Sequence, residues 1–354
     1  PETHADLDGL ARGRPTSFDI AYLAGVSQPT VSRALSGSPL VSETTRRRIT
    51  EIARQLNYRV DKNASSLRRG QTRTLALLFF DDASSDPSSI NPFFLGMLGS
   101  VTRVAANRGY DLLVSFQQLS TDWHRDYEEQ RRADGILLLG YGDFTLMRDR
   151  LDRLVAAGTH FVRWGHVEDG QPGLAVGSDN MAGGRLAGSH LLNGGRRRIA
   201  YLGHTTDQYP EFRDRYLGLV ASHTQAGQAA DPRLVAPALS SEADGEQAIA
   251  RLIEGGQHFD ALFAASDLIA LGAMRALVRH GLAVPDDVAV VGFDDIPAAS
   301  LAAVPLTTIA QDTRAAGVAM VDGLLELIAG TPPESRCLPV TLVVRQSCGA
   351  SPKA

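Results

Sequence analysis

The sequence predicts an N-terminal all-α headpiece carrying a helix-turn-helix, followed by an α/β core of two doubly wound subdomains. Three observations predict it. A short apolar helix, a Gly turn and a polar second helix occupy residues 17–35. Positive charge is confined to the segment that holds them. After residue 74, short apolar strands alternate with amphipathic helices, the pattern of parallel sheets covered on both faces.

In the headpiece, Ile20, Ala21, Leu23 and Ala24 form the inward face of the first helix, which stops at Gly25. Glycine is free to take the positive φ of a tight turn. Ser27 can cap the second helix, and Pro29 is tolerated in its first turn, where an N–H has no partner to lose. Val31 and Leu35, four apart, supply one buried stripe. The opposite face carries Gln28, Thr30, Ser32 and Arg33, all able to meet base edges or phosphates. Such an arrangement is the helix-turn-helix signature. A third helix starts at Ser42 and Glu43, with Ile49, Ile52, Ala53 and Leu56 on one face and Arg46, Arg47 and Arg48 near its start. Twelve Arg/Lys and four Asp/Glu lie between residues 11 and 73, a net of +8 against −5 for the whole chain, which leaves −13 for the rest. That asymmetry is the footprint of a nucleic-acid module joined to an acidic partner domain.

Strands are expected at 74–80, 110–116, 135–139 and 160–164, then at 198–203, 260–264 and 288–293. Helices are expected at 93–108, 122–132, 145–157, 180–193, 211–226, 241–254 and 266–280, many closed by glycine. The series divides near 173–177, and ligand is expected in the cleft at the carboxyl ends of the strands.

At 354 residues, there is room for the headpiece and a core usually split in two. No run approaches the roughly 20 apolar residues of a membrane span, and no secretory leader is evident. Only Cys337 and Cys348 occur, without metal-ligand spacing, which fits a reduced, cytoplasmic protein. His124, His160, His166 and His204 show no ligand spacing either, so no metal or cofactor is expected. An enzyme is disfavoured: Gly-x-Ser-x-Gly, a phosphate-binding Gly-x-x-x-x-Gly-Lys loop and a Cys/His cluster are all missing.

Several runs together resemble the lac repressor (LacI/GalR) family of bacterial transcription regulators. Ala24-Gly25-Val26-Ser27 with Thr30-Val31-Ser32-Arg33 matches its headpiece, and Leu56-Asn57-Tyr58 with Ala64, Leu67 and Gly70 matches its hinge. Core matches are Asn91-Pro92-Phe93-Phe94, Ser178-Asp179-Asn180 with Gly183-Gly184-Arg185, Arg215 with Gly218, Ser266-Asp267 with Ala270, Gly292-Phe293-Asp294-Asp295, and Pro305-Leu306-Thr307-Thr308-Ile309. Each is weak alone; in order over three hundred residues they are specific. Val60 departs from a family proline.

The resemblance implies a periplasmic-binding-protein-like core whose chain crosses between subdomains three times, near Ala175–Ser178, Ile309–Thr313 and Leu338–Val343. Expected segments are a disordered arm at 1–15, the headpiece at 16–60, a hinge helix and linker at 61–73, a core N-subdomain of 74–175 with 311–338, and a C-subdomain of 176–310 with 339–348. A homodimer is expected, its two headpieces reading the half-sites of a palindromic operator in double-stranded DNA. By family position Gln28, Pro29 and Arg33 face the bases. Thr16, Ser27, Thr30 and Ser32 are short hydroxyl donors suited to phosphates. The hinge is too short to be helical alone and is expected to order on DNA, with Ala64 and Leu67 entering the minor groove.

For the effector, family position implies Arg215, Asp267 and Asp294 as polar clamps, with Phe93 and Trp164 as stacking platforms and Arg163 and Gln311 as additions. Trp164 is alternatively an ordinary core aromatic and Asp294 a structural bridge. Asn180 is expected to cap a helix. The function implied is a DNA-binding repressor released by a small molecule, a mono- or oligosaccharide. A purine- or nucleoside-responsive co-repressed regulator and a DNA-binding protein with a vestigial pocket are the other readings.

Overall fold

A computed structural model describes residues 15–58, 71–79, 90–116, 122–140, 142–331 and 333–349. The chain divides into two compact units, Pro1–Thr72 and Arg73–Ala354. In the first, α1 (Ser17–Ala24), α2 (Gln28–Leu35) and α3 (Glu43–Gln55) enclose a small core of Ile20, Ala21, Ala24, Val31, Ala34, Val41, Ile49 and Ala53. Helices of eight residues do not hold alone in water. Packing and caps hold them here. Thr16 and Asp19 form a reciprocal capping box at α1. Gly25, at φ 61° and ψ 35°, ends that helix and turns the chain into α2. The hinge, with Val60, Ala64 and Leu67, lies outside the described residues.

The second unit begins with β1 (Thr74–Phe79), α4 (Pro92–Asn107), β2 (Asp111–Phe116), β3 (Ile136–Leu139), α5 (Phe144–Ala156), β4 (Phe161–Trp164) and β5 (Leu174–Ser178). It continues with α6 (Asn180–Asn193), β6 (Ile199–Leu202), α7 (Pro210–Gln225), β7 (Val235–Ala236), α8 (Glu242–Glu254), β8 (Ala261–Ala264), α9 (Asp267–Arg279) and β9 (Ala289–Asp294). Last come α10 (Pro297–Leu301), β10 (Thr307–Gln311), α11 (Thr313–Ile328), β11 (Arg336–Leu338) and β12 (Val340–Val343).

Two six-stranded sheets result, in the orders β11-β5-β4-β3-β1-β2 and β12-β10-β9-β8-β6-β7. One layout is used twice. Its pairings are parallel except between β10 and β12, which run antiparallel. The central strands are apolar and buried on both faces, as covered parallel strands require.

The chain passes between the sheets at Asp179, Asp312 and Pro339, because β5 and β11 pair in the first sheet while β10 and β12 pair in the second. The passages therefore fall after Ser178, after Gln311 and at Pro339, at or within one residue of the three expected crossings. The short strands β5, β7, β10, β11 and β12 are absent from the sequence reading, which took Ala175–Ser178 and the run from Leu338 to Val343 for crossings only. Residues 122–132, expected as one helix, form a single wide turn over His124–Glu129.

Two family-motif glycines have a packing reason. A Cβ on Gly184 would lie 2.0 Å from the Arg215 carbonyl oxygen, and one on Gly218 would lie 2.2 Å from that of Met181. Backbone thus meets backbone where α6 crosses α7, and this contact sets the helix that carries Arg215.

Candidate functional site

The headpiece presents α2 with Pro29 and Arg33 exposed and Gln28, Thr30 and Ser32 half-buried. Its first turn is already partly engaged. Gln28 Nε2 donates to Ser17 Oγ at 3.1 Å, and the Ser27 and Thr30 hydroxyls bond each other at 2.9 Å. Ser27 caps the helix through its carbonyl, which accepts from the Thr30 and Val31 N–H groups, while its hydroxyl makes no cap bond. The Thr16 hydroxyl donates to Asp19 within the capping box. Arg46 is structural: its Nη2 donates to the Ser38 carbonyl at 2.8 Å, which braces the loop between α2 and α3. Arg47 pairs with Glu43, whereas Arg48 is exposed. Phe18 and Tyr22, four apart on α1, are 71% and 74% exposed. Their aromatic i, i+4 spacing was the available signal for this apolar pair, and the sequence reading passed over it.

In the core unit, the floor of the cleft is built from the ends of β9 and β10 and from α6 and α7. Arg215 is fully buried. Its Nε donates to Asn180 Oδ1 at 2.8 Å, its Nη1 donates to the Ala265 carbonyl, and Nη1 stands 3.9 Å from Asp294 Oδ1. The guanidinium lies 3.7 Å over the Phe293 ring, a desolvated cation–π contact. Gln311 Nε2 donates to Asp294 at 2.6 Å. Asp294 adopts φ 117°, a conformation rare for a residue with a side chain. Arg215, Asp294 and Gln311 therefore form one connected group, and Asn180 joins it.

Asn180 does not cap α6. Asp179 does, accepting from the Ala182 N–H at 2.8 Å, which leaves Asn180 to face Arg215. A Ser-Asp-Asn run offers two cap candidates, and the strand register decides between them. Asp267 stands one step behind the group. Its carboxylate accepts from the Ile296 N–H at 2.9 Å and the Thr308 hydroxyl at 2.6 Å. Burial first, and then the Asp294 charge, push its carboxyl well above the usual range. It anchors the loop after β9. Asp295 pairs with Arg345 at 2.6 Å.

Phe93 and Trp164 are both buried, with ring centroids 5.8 Å apart and planes at 50°. Arg163 turns aside. It donates to the Pro172 and His166 carbonyls and to Gln171, and burial pulls its guanidinium down to about 10. A niche lined by Phe144, Arg163, Trp164 and Glu211 adjoins it.

Hydrogen bonds cross between the subdomains and hold the cleft closed. Asn91 Nδ2 donates to Ser240 Oγ at 3.1 Å, and Ser240 in turn reaches the cap of α9 at Ser266. The Phe144 N–H donates to the Gln208 carbonyl at 2.9 Å. The His166 N–H donates to Glu211 at 2.8 Å, and its Nδ1 meets Asp214 at 2.9 Å. Burial lowers the affinity of this imidazole for a proton; the Asp214 bond and the Asp214, Glu211 and Glu168 charges outweigh it and raise the pKa. Of these bonded residues only Asn91 and Ser266 lie in the quoted motifs. Among the described residues no cluster of His, Cys, Asp and Glu is placed to hold a metal, and no helix is long and apolar enough to cross a membrane.

Comparison with known proteins adds the family. The model of bacterial regulatory proteins of the lacI family matches residues 18–61, and that of the periplasmic binding protein-like domain matches residues 189–348. The HTH-type transcriptional regulator CelR of Thermobifida fusca is 33% identical over 343 residues, covering 95% of this chain and 99% of CelR. The structure of the CelR–cellobiose complex is similar with a TM-score of 0.70 at 32% identity, covering 94% of this chain and 100% of that one. The lac repressor dimer bound to operator and the anti-inducer ONPF is similar with a TM-score of 0.81 at 28% identity, covering 96% and 100%. A helix-turn-helix unit, two sheets of one topology and a likeness spanning both chains agree: the chain belongs to the lacI family of bacterial transcriptional regulators.

Proposed function

We propose that this protein is a homodimeric repressor that binds a palindromic operator and is released from it by a sugar. The observation that carries the effector half is the closed cleft. A buried floor of Arg215, Asn180, Asp294 and Gln311 offers donors and acceptors for hydroxyl groups, and the Phe93–Trp164 pair supplies apolar ring surface nearby. A ligand that bridges floor and wall favours the closed arrangement by its differential affinity for it. The likeness to the CelR–cellobiose complex supports a carbohydrate.

The DNA half rests on the exposed α2 face, where Arg33 would read guanine and Gln28 and Pro29 neighbouring bases, while Thr16, Ser27, Thr30 and Ser32 serve the backbone. Ala64 and Leu67 of the hinge would enter the minor groove between the paired headpieces. Dimerisation is supported by an apolar groove of 740 Å³ on the second subdomain, lined by Leu271, Met274, Val278, Leu301 and Val304. Leu301 and Val278 are 82% and 66% exposed in the single chain, a surface of the kind that copies cover. The likeness to the lac repressor dimer supports the same pairing.

Thermal-shift screening with mono-, di- and oligosaccharides and purines, followed by operator anisotropy with each hit, tests this reading. A stabilising sugar that lowers operator affinity is expected. Operator binding with no stabilising compound would leave the effector half without support, and a stabilising purine that tightens operator binding would replace release by co-repression.

A further inference from the structure

The first turn of α2 has its polar groups engaged within the headpiece itself. The Ser27 and Thr30 hydroxyls bond each other at 2.9 Å, Pro29 has no N–H to offer, and Gln28 Nε2 donates across to Ser17 Oγ at 3.1 Å. That last bond is the only one either side chain makes among the described residues. It ties the first residue of α2 to the first residue of α1 and keeps the Gln28 amide half-buried against that helix. Arg33 differs: it stands exposed, and its side chain makes no bond among the described residues. Nor does α1 need the Ser17 hydroxyl to start. Thr16 caps it, through reciprocal bonds with Asp19.

A glutamine amide reads a base through its carbonyl and one N–H, and adenine takes both. Held towards α1, the amide has to leave Ser17 before it lies in a groove. Every complex in which Gln28 reads a base therefore sets the new bonds against one bond of the free headpiece. Because that bond belongs to the free protein, its loss falls equally on every sequence that Gln28 reads. Nonspecific complexes rest on phosphates, so they leave Gln28 with Ser17 and escape the loss.

We propose that Ser17 is a built-in restraint on operator recognition: its hydroxyl holds the Gln28 amide away from the bases and so lowers specific affinity. Ser17 is a positioning residue in this role, acting only through Gln28. The proposal rests on the DNA half of the reading above. A neutral hydrogen bond is worth about threefold in affinity, which two headpieces on a palindrome compound to about tenfold. An effector commonly shifts affinity by about 5–150-fold, and the restraint keeps the operator complex within that reach.

The test begins with an operator selected from random-sequence DNA by the wild-type full chain, against which variants are titrated by anisotropy. Ser17→Ala should tighten operator binding about tenfold and leave affinity for a scrambled duplex within about twofold. Ser17→Thr, which keeps the hydroxyl, should stay within about twofold of the wild type on both. In a Gln28→Ala background the same Ser17→Ala change should alter nothing, the mark of a contact that acts through Gln28 alone. Operator binding that Ser17→Ala leaves unchanged or weakens overturns the restraint, as does tightening that survives in the Gln28→Ala background. If the wild-type chain selects no sequence, the DNA reading itself falls, and the restraint with it.

Discussion

On the second helix of the headpiece Pro29 and Arg33 face solvent, whereas on the floor of the cleft Arg215 and Asp267 expose none of their surface. Pro29 and Arg33 stand open on a small packed unit, whereas Gln28 must give up its bond to Ser17 to meet a groove. Cleft groups are tied to each other, and bonds between the subdomains roof them over. A surface open at all times suits a partner too large to enclose. A site sealed by the protein's own bonds suits a small partner whose arrival must change how the two halves meet.

That contrast can be broken most sharply at Arg215. Arg215→Ala removes the cation from Asp294 and the donor from Asn180 Oδ1, and loss of one member of a buried pair costs about 3–5 kcal/mol. Denaturant titration should show that loss in the core transition and none in a headpiece assayed alone. An unchanged core midpoint would make the pair incidental. Arg33→Ala should do the reverse, costing about 1–3 kcal/mol of operator affinity with no shift in core stability. Equal loss on every DNA sequence would reassign Arg33 from base to phosphate. Thr16→Ala removes the α1 capping box and should lower headpiece stability by about 1 kcal/mol, read by its thermal midpoint.

The smallest effect is expected from pH at the latch. His166 has its pKa raised above 6.5, so the imidazolium bond to Asp214 contributes fully below that value and fades as pH rises through the raised one. Burial opposes ionisation of Asp214, but the His166 bond and then Arg213 hold it below 3.8, so its side of the latch fails only in stronger acid. Closure, followed as effector affinity, should therefore weaken a few-fold as pH rises from below 6.5 through the raised pKa, and His166→Gln should flatten that dependence. A flat wild-type profile would show that the other bonds between the subdomains, the His166 N–H to Glu211 among them, carry the latch without the imidazolium.

The sequence displayed the headpiece more fully than the cleft, for a physical reason. Helix periodicity, a glycine turn and a cluster of like charge are local signals, and the three helices fall where those signals place them. Arg215, Asp294 and Gln311 were named from motif positions far apart in the chain, and the structure joins them. Their partner Asn180 was misread because capping is decided by which of two adjacent residues the strand delivers first. The latch of His166, Glu211, Asp214 and Gln208 leaves no periodic trace, since it exists only where two separately folded halves touch. Five short strands escaped for the same cause: two to five residues beside Gly and Pro carry too little pattern to separate from loop.

The passages at Asp179 and Asp312 have a mechanical consequence. Each aspartate sits between a strand of one sheet and a helix of the other subdomain, with nearly the same backbone angles, φ −71° and ψ 83° against φ −75° and ψ 89°. Each holds the first turn of its helix by its own carboxylate, Asp179 through Ala182 and Asp312 through Arg314 and Ala315. Torsion applied between the halves then falls on one residue per crossing, and neither the strand before it nor the helix after it has to fray. With the third crossing at Pro339, tied to the first by the Asp179 N–H bond to the Leu338 carbonyl at 2.9 Å, a change at these positions alters how stiffly the halves move while both recognition surfaces keep their shape.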